Sequence, residues 1–546
     1  MQQSKLAKRA ALLFILAIIT FYLYGLGRLP LLGPDEPRYA EVAREMYERG
    51  DMVTPTLGGH TWFEKPALLY WMMMAGYKVF GVSEFSARLG PALCGLLTAI
   101  LIYWLGKRVE RAGEVFNETV RAEHWPSLAF ASSLGAIVFS RAASFDIVVT
   151  MTITLALVCF FIAELETEEK KRSWLIAGFY GAVGLSLLAK GLIGIVIPFG
   201  VIGLYYLMRR QWPDRKILFS VLWGVPLALA VSATWYAPVI ARHGWVFIDQ
   251  FFIQHHFARF VSNKYHHPGP FYFYIPVMLM MALPWTAFLI AEIGALRKST
   301  WLEESLTNRF RLFALAWLLV PLLFFSFSGS KLPAYILPAL PGAAMLVGMR
   351  LSHFIKDETS SIAMRATGVL LMVQAAATII LSTRTNLITL ACAMLSAAPL
   401  VLAGVFAIVW KNSRSLKIEL ITSAIFISIA LTLNCAAGPI AGRESVRDLL
   451  RNAEARGYVS TPIFYMLDDD RTAEFYAGGR LGYRDDGEPY RFDGAHEVAD
   501  AARQTGGTAL VLIPTEWENK LTDYSAIETE IIGRSGAQTL ALIRVR

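Results

Sequence analysis

Two adjacent carboxylates, Asp35 and Glu36, open the segment "PDEPRYAEVAREM" directly after an apolar stretch. One interpretation is structural: Asp35 could cap a helix by accepting hydrogen bonds from its first backbone N–H groups, with Pro37 tolerated in the first turn. The other is chemical, since carboxylates bind sugar hydroxyls or an amino group and act as general bases. This segment alone is compatible with both interpretations.

Ionisable residues also occur at the ends of other apolar stretches, where a charge in the membrane costs about 2.5–3.5 kcal/mol. Taken singly, Arg141 and Lys190 could extend to the membrane surface, and Tyr335 could belong to an interfacial aromatic belt. The residues of this kind are Glu64, Lys65, Arg141, Asp146, Lys190, His256, Arg259, Lys331 and Tyr335. Acids and bases from separate connections on one membrane face favour a site over coincidence.

The residue types in this group suit a phosphorylated lipid substrate. The bases Lys65, Lys190, Arg259 and Lys331 could hold a lipid phosphate and stabilise the charge that it develops as a leaving group. Carboxylates beside them could bind a sugar or an acceptor. This mixture fits the transfer of a sugar from a polyprenyl phosphate, a reaction that needs no nucleotide.

The composition indicates that membrane helices position these residues. The chain has 546 residues, 55 % of them hydrophobic and 17 % charged, whereas about 25 % is usual for soluble domains. The net charge of +8 lies mostly in short loops between apolar stretches, which is an orientation signal of membrane proteins and argues against nucleic-acid binding. The four cysteines fall inside apolar stretches without metal-ligand spacing, so no disulfide is expected.

Thirteen stretches are long enough to span a bilayer, and the loops on one side of them are basic throughout. This alternation predicts a cytoplasmic N-terminus and an external C-terminus. The predicted spans lie near 10–30, 84–106, 126–142, 146–164, 173–189, 190–208, 217–238, 271–293, 310–328, 333–350, 365–383, 386–410 and 417–438.

Two predicted outer loops are long. Loop 31–83 should contain two juxtamembrane helices: an amphipathic one after Asp35, with Glu41, Arg44 and Glu45 on its polar face, and an interfacial or re-entrant one over 65–81. The second long loop covers about 239–270 and contains His256 and Arg259. Both loops would lie on the outer face.

The composition changes after Ala441, where the chain becomes charged and typical of a soluble domain. Short strands are predicted in "TPIFYML", "GTALVLIP" and "TLALIRV", and helices over 444–456 and 496–504. The chain therefore divides into a transmembrane catalytic domain, residues 1–441, and a small periplasmic α/β domain, residues 442–546.

Five segments together resemble one family of enzymes. "GPDEPRYAEVAREM", "FEKPALLYW", "AKGLIGIVIP", "HFARF" and "SKLPAYILPALPG" are similar to segments of the lipid A 4-amino-4-deoxy-L-arabinose transferases. These are polyprenyl-phosphate-dependent glycosyltransferases of the GT-C type, related to the protein O-mannosyltransferases. The resemblance covers about residues 10–350.

The resemblance implies a donor, undecaprenyl phosphate carrying aminoarabinose, and an acceptor, a lipid A phosphate, with polymyxin resistance as the result. It implies a multi-pass protein of the bacterial inner membrane, expected to be a monomer, with its active site facing the periplasm. Catalytic roles fall by resemblance on Asp35 and Asp146, and a divalent cation (Zn, Mg or Mn) could lie between Glu64 and His256. The implied donor or phosphate contacts are Arg38, Tyr39, Lys65, Lys190, Arg259, Lys331 and Tyr335.

Two alternatives stay open at the level of sequence. A related transferase with another sugar or acceptor, such as mannose to protein, would keep the fold and change the acceptor pocket. A lipid or ion transporter would place ionisable residues near the middle of its spans and would interrupt its helices there. The charges here cluster at one face, which favours the transferase.

Overall fold

The computed structural model describes residues 14–115, 124–258, 269–296, 303–357, 361–385, 387–410, 413–484 and 487–546. Most of these residues are helical, and a mixed sheet lies near the carboxyl end. The predicted fold class, a polytopic helical membrane protein with a C-terminal α/β region, is therefore confirmed.

Nine helical stretches of the described residues are long and apolar enough to cross a membrane: Glu84–Gly113, Phe145–Leu165, Glu169–Lys190, Arg215–Gln254, Leu306–Ser326, Pro333–Ile355, Ser361–Thr385, Leu390–Val409 and Arg414–Glu444. The sixth of them begins with a 3-10 turn, Pro333–Ala339. In chain order the helices up to residue 444 are α1 (Phe14–Leu23), α2 (Asp35–Arg49), α3 (Leu68–Phe80), α4 (Glu84–Val115), α5 (Trp125–Ala131), α6 (Leu134–Ser140), α7 (Phe145–Leu165), α8 (Glu169–Lys190), α9 (Ile193–Arg209), α10 (Arg215–Ile248), α11 (Tyr274–Met281), α12 (Thr286–Leu296), α13 (Leu306–Ser326), α14 (Leu340–Asp357), α15 (Ser361–Thr385), α16 (Leu390–Val409) and α17 (Arg414–Glu444).

The other four predicted spans contain shorter apolar helices, namely α1, α9 and the pairs α5–α6 and α11–α12. Segment 126–142 is divided because Ser133 takes an extended conformation, with ψ 142°, as the residue that begins α6. The Ser132 hydroxyl, at the end of α5, accepts a hydrogen bond from the indole of Trp285 at 2.9 Å. A polar contact between helices therefore occupies the break.

The first outer loop forms α2, a short hairpin and α3. The apolar stripe of α2 is buried as predicted except at Tyr47, which is 37 % exposed. Gly50 ends the helix with φ 63°, and its N–H donates to the carbonyls of Met46 and Tyr47. The prediction that Glu41 and Arg44 face solvent is wrong. Their side chains are 3 % and 11 % exposed, because Arg44 donates to the carbonyl of Phe475 at 3.3 Å and the C-terminal region covers this face.

The predicted position of Glu45 on an exposed polar face is also wrong. Its side chain, which is 16 % exposed, packs against the hairpin of β1 (Thr56–Leu57) and β2 (His60–Thr61). Its carboxylate accepts hydrogen bonds from the backbone N–H groups of Gly58 at 2.6 Å and Gly59 at 3.2 Å. Glu45 therefore ties the hairpin to α2.

The described residues at the start of the second outer loop, 239–258, are helical, which corrects the predicted boundary at 239. Helix α10 continues to Ile248 through a kink at Gly244, with φ 54°, and a π-helix covers Asp249–Ala258. On the extension, Arg242 pairs with Asp51 of the first outer loop at 2.8 Å. The two outer loops are thus joined directly.

The expectation that no disulfide forms is wrong. Cys392 and Cys435 are bonded, with their Cα atoms 6.0 Å apart and a separation of 43 positions in sequence. They lie on α16 and α17, two packed helices that bring the residues face to face. Sequence spacing cannot show such a pairing, whereas the other two cysteines, Cys94 and Cys159, are buried and free as expected.

The C-terminal sheet has five strands in the order β4–β3–β5–β7–β6, with β3 parallel to β4 and β5. The three predicted strands and two predicted helices are present. The short strand β4 and the edge strand β6 were not predicted. The elements are α18 (Arg447–Ala455), β3 (Ile463–Met466), α19 (Ala473–Tyr476), β4 (Arg491–Phe492), α20 (Ala495–Gln504), β5 (Thr508–Pro514), α21 (Asn519–Thr522), β6 (Ile527–Ser535) and β7 (Gln538–Val545).

Polar contacts fix the C-terminal region on the membrane part. The Tyr476 hydroxyl accepts a hydrogen bond from the Leu31 N–H at 2.8 Å and donates to Glu84 at 3.1 Å. Arg447 also pairs with Glu84 at 3.3 Å. Helix α19 consequently rests against the loop before α2, next to the predicted site.

Candidate active site

Asp35 is not a helix cap. The residue that begins α2 is Pro34, which makes no capping hydrogen bond through its side chain, and Asp35 is the first residue of the helix. Asp35 is exposed. Of the two interpretations of "PDEP", the cap is therefore wrong for Asp35, although its charge in the first turn is favourable to the helix dipole.

Glu36 has the structural role instead. Its carboxylate accepts hydrogen bonds from the N–H groups of Leu32 at 3.0 Å and Ala143 at 2.6 Å, and it pairs with Arg88 at 2.7 Å. Glu36 thereby holds the start of α2 to α4 and to the turn before α7. This pair was not predicted from the sequence, although Arg88, a charge within the apolar span 84–106, was an available signal.

Three aromatic rings join α2, α3 and α7 at the centre of the site. The Phe145 ring lies 4.9 Å from that of Tyr39 and 5.3 Å from that of Tyr70. Burial raises the pKa of Tyr39 well above its ordinary value, and the nearby carboxylates of Glu64, Asp35 and Asp146 raise it further. Three predicted carboxylates therefore act electrostatically on one phenol.

A lysine links two further elements to this centre. Lys190, the last residue of α8, pairs with Asp146 at the start of α7 and lies 4.6 Å from the ring centroid of Tyr335. Both charged side chains are largely buried, at 11 % and 13 % exposed. Gly191, with φ 71°, lets the chain turn sharply after Lys190. Lys190, Asp146 and Tyr335 are thus brought together as predicted.

Glu64 and Lys65 form a pair of their own, with Oε1 and Nζ 2.7 Å apart. Among the described residues, no group of three or more His, Cys, Asp or Glu side chains could hold a metal ion. The second predicted ligand, His256, lies on the π-helix, and its side chain is outside the described part. The described residues do not assemble a cation site.

Of the predicted phosphate contacts in the described part of the chain, Lys331 has its hydrogen bond away from the centre. Lys331 lies just before the 3-10 turn, and its ammonium donates to the carbonyl of Ser328 at 2.6 Å. Arg259 lies outside the described residues. Arg141 donates hydrogen bonds to the carbonyls of Phe21, at 2.9 Å, and Tyr24. It therefore caps the end of the first helical segment.

Arg38 reaches the C-terminal region. Its Nε lies 3.5 Å from Oε2 of Glu474, and its guanidinium carbon is 5.1 Å from the ring centroid of Trp62. Glu474 carries no sequence motif, and no signal in the sequence could have placed it here. The site therefore has a wall that the sequence did not predict.

The hydroxyl of Tyr70 is buried and has no hydrogen-bond partner among the described residues. The charges that act on it come from Glu64, Arg38 and Asp35, in that order. A buried polar group without a partner costs free energy, and such a group in a charged site is suited to a ligand.

A cavity of about 780 Å³ lies at the opposite ends of α7 to α10. Its lining is mainly apolar, with Arg210 and Gln211 among the few polar residues. Asp35, Asp146 and Lys190 do not line it. We place the candidate site at the charged cluster and not at this groove, because the groove has no acid–base pair that could react.

Residues 8–293 match the dolichyl-phosphate-mannose-protein mannosyltransferase family. The undecaprenyl phosphate-alpha-4-amino-4-deoxy-L-arabinose arabinosyl transferase of Erwinia tasmaniensis is 35 % identical over 343 residues, 62 % of this chain and 59 % of the relative. The enzyme of that name from Pseudomonas aeruginosa is 34 % identical over 366 residues, 66 % of this chain and 62 % of the relative. The matches thus span about three fifths of these relatives.

The crystal structure of ArnT from Cupriavidus metallidurans bound to undecaprenyl phosphate has a similar fold. The TM-score is 0.79 with 21 % sequence identity, over 98 % of each chain. The apo structure of the same protein gives a TM-score of 0.75. The likeness of fold thus covers nearly the whole chain, beyond residues 8–293 that match the family.

Proposed function

The chain belongs to the dolichyl-phosphate-mannose-protein mannosyltransferase family, and from that premise we propose that it transfers 4-amino-4-deoxy-L-arabinose from undecaprenyl phosphate to a lipid A phosphate. The single observation that carries the proposal is the cluster of Asp146, Lys190 and Tyr335 beside Asp35 and Tyr39. The names of the relatives support the donor. The protein would act as a monomer in the bacterial inner membrane, with this cluster facing the periplasm.

The bases of the cluster would bind the donor phosphate. Lys190 is held by Asp146 and Tyr335, so its ammonium is oriented before the donor arrives. Lys65, Lys331 and Arg38 would contribute further positive charge, and Arg259 has the same role by resemblance. The charge of Lys190 would stabilise the phosphate as it leaves, which lowers the barrier of the transfer, whereas Arg38 would bind the phosphate equally before and during the reaction.

The transfer would be a direct displacement. An oxygen of the acceptor phosphate attacks the anomeric carbon, the bond from that carbon to the donor phosphate oxygen breaks, and its electron pair stays on undecaprenyl phosphate. The anomeric centre inverts. An acceptor phosphate is already ionised near neutral pH, so Asp35 would mainly orient the acceptor or stabilise positive charge at the sugar carbon.

The family is named for mannosyl transfer to protein, so the alternative is transfer of the sugar to a protein hydroxyl. A protein hydroxyl, unlike a phosphate, must lose its proton during attack, and a general base would then be required. The names of the relatives favour the aminoarabinose donor, and the charges at one end of the helices do not favour a transporter. The lipid A acceptor is the part of the proposal that most needs a test.

Mass spectrometry of lipid A from cells with and without the gene is that test. We expect the aminoarabinose adduct only in cells that carry the gene, together with survival in polymyxin. Unmodified lipid A in both strains would refute the acceptor, and a mannosylated protein in its place would support the alternative.

The divalent cation between Glu64 and His256 stays a proposal. The pairing of Glu64 with Lys65 in the described structure does not support it. Transfer measured after treatment of the purified protein with a chelator tests it directly: retained activity would refute a required cation, and a loss restored by zinc, magnesium or manganese would support it.

A further inference from the structure

Arg38 is held on one side only. Its contacts in the described part of the chain are Glu474 and the ring of Trp62, and neither residue accepts a hydrogen bond from its terminal nitrogens. Its side chain is 15 % exposed. A partly buried guanidinium in this state is suited to bind an anion through its terminal nitrogens, since those nitrogens match the oxygens of a phosphate.

Glu474 is fixed from behind. Its side chain is fully buried, and its Oε1 accepts a hydrogen bond from Arg471 at 2.8 Å, while Oε2 faces Arg38. Arg471 is held in turn by Asp469 at 2.9 Å. A buried carboxylate is costly unless it is paired, and these contacts leave Glu474 one orientation with respect to Arg38.

We propose that Glu474 is a positioning residue of the transfer reaction, which holds the Arg38 guanidinium in the orientation that binds the phosphate of the lipid-linked donor. An arginine side chain has considerable rotational freedom, and ordering it before binding removes that cost from the binding step. The inference rests on the proposed function and deepens it, because it gives the C-terminal region a part in donor recognition.

A purely structural role of Glu474, in docking α19 on α2, makes a different prediction. Loss of docking would lower the amount of folded protein and hence the apparent kcat, without a change in KM. Loss of a positioned guanidinium weakens a contact made both before and during the reaction, and this raises the donor KM while kcat is kept. The two kinetic constants therefore separate the roles.

The first experiment measures transfer by the purified full-length protein at varied concentrations of the undecaprenyl-phosphate-linked donor. Glu474→Gln keeps the shape of the side chain and removes its charge. We expect the donor KM to rise about tenfold, with kcat within about twofold of wild type. The control is Glu454→Gln, which breaks a 2.7 Å pair with Arg480 in the same region and should leave both constants unchanged.

A double-mutant cycle tests whether Glu474 acts through Arg38. If it does, Glu474→Gln in an Arg38→Ala background should change the donor KM by no more than about twofold. An unchanged KM in Glu474→Gln, or effects of the two substitutions that multiply, would overturn the inference. Wild-type protein that transfers no sugar overturns the proposed function first, and the inference with it.

A second variant covers the case in which Glu474→Gln does not fold. Arg38→Lys keeps the positive charge but lacks the Nε that faces Glu474. Its donor KM should rise by a similar factor, and an unchanged KM would overturn the inference.

Discussion

The carboxylates of Asp35 and Glu36 are neighbours in sequence, yet they face different surroundings because successive helical residues point about 100° apart. Glu36 turns toward Arg88 and the N–H of Ala143 and closes the junction of α2, α4 and α7. Asp35 turns to the open side, where it acts electrostatically on Tyr39. Glu36 therefore has a structural role, and Asp35 stays exposed at the candidate site.

This division makes Asp35→Asn a sharp test. Asn keeps the size of the side chain, and Asp35 makes no capping bond that the change could remove, so we expect the melting temperature to stay near wild type. Transfer from the lipid-linked donor should fall about 100-fold or more, because a charge that acts on the reacting sugar is lost.

Glu48→Gln is the matched control on the same helix, since its side chain is 62 % exposed. It should leave transfer unchanged. If the Asp35→Asn protein retained most of its transfer activity, the catalytic role of Asp35 would be refuted.

The pH dependence of donor binding offers a second test at the scale of residues. Burial raises the pKa of Glu474, while Arg38 and Arg471 act to lower it. As pH falls, Glu474 should therefore gain its proton before an ordinary glutamate does, and the hold on Arg38 weakens. The ionisable groups around Glu474 are Arg38, Arg471, Glu488, Tyr465 and Tyr483.

We expect the donor KM of the wild-type protein to rise on the acid side of neutrality, and that of Glu474→Gln to be high and flatter with pH. Parallel KM–pH profiles of the two proteins would contradict this assignment. The donor phosphate itself titrates equally in both assays, so the difference between the profiles isolates Glu474.

Whether a site residue could be predicted from the sequence depends on the residues around it in the chain. Lys190 and Asp146 could be found from sequence, because a charge at the end of an apolar span is expensive and stands out. Glu474 could not, because it lies in a charged region where one more carboxylate is ordinary. Its partner Arg38 is more than 400 positions away.

At the scale of elements, the hairpin of the first outer loop is one of the contacts between the membrane part and the C-terminal region. Gly58 and Gly59 both have positive φ, at 59° and 80°. A Cβ on Gly58 would come within 2.3 Å of the Tyr483 ring, whereas a Cβ on Gly59 would meet nothing within 4 Å. A side chain at either position would therefore strain the backbone, but only a side chain at Gly58 would also collide with Tyr483.

We therefore expect Gly59→Ala to cost about 1 kcal/mol from backbone strain alone. Gly58→Ala should cost about 1–3 kcal/mol more, because an aromatic ring must move away from the hairpin. Thermal unfolding of the purified proteins, with limited proteolysis of residues 442–546 as a second readout, measures the difference. Equal melting temperatures of Gly58→Ala and Gly59→Ala would show that the contact of the hairpin with Tyr483 does not stabilise the protein.

The elements that hydropathy could predict were those with a continuous apolar stretch, such as α7 and α16. Hydropathy could not show that α10 continues beyond residue 238 as helix, because that extension is stabilised by contacts such as Arg242 with Asp51. It also could not show the break at Ser133, or the edge strand β6, whose partner is β7. Tertiary contacts decide in each of these cases.

At the scale of the whole molecule, the charged cluster and the C-terminal region share one end of the helices. Lys190 ends α8 and Asp146 begins α7, while α17 leads directly into α18 and the sheet. The disulfide between Cys392 and Cys435 lies at the beginning of α16 and toward the end of α17, near this same end. Disulfides persist in oxidising compartments, so this end should face the periplasm.

A pair of reporter fusions tests that orientation across a single helix. A reporter active only outside the cytoplasm should be active after residue 546, beyond the C-terminal sheet, since the alternation of basic loops places this end outside. The same reporter in the basic loop between α16 and α17 should be inactive, because only α17 separates the two positions. If the C-terminal fusion were inactive and the loop fusion active, the donor would meet the charged cluster at the cytoplasmic face. The disulfide would then lie in a reducing compartment, and a periplasmic transfer reaction could not use this site.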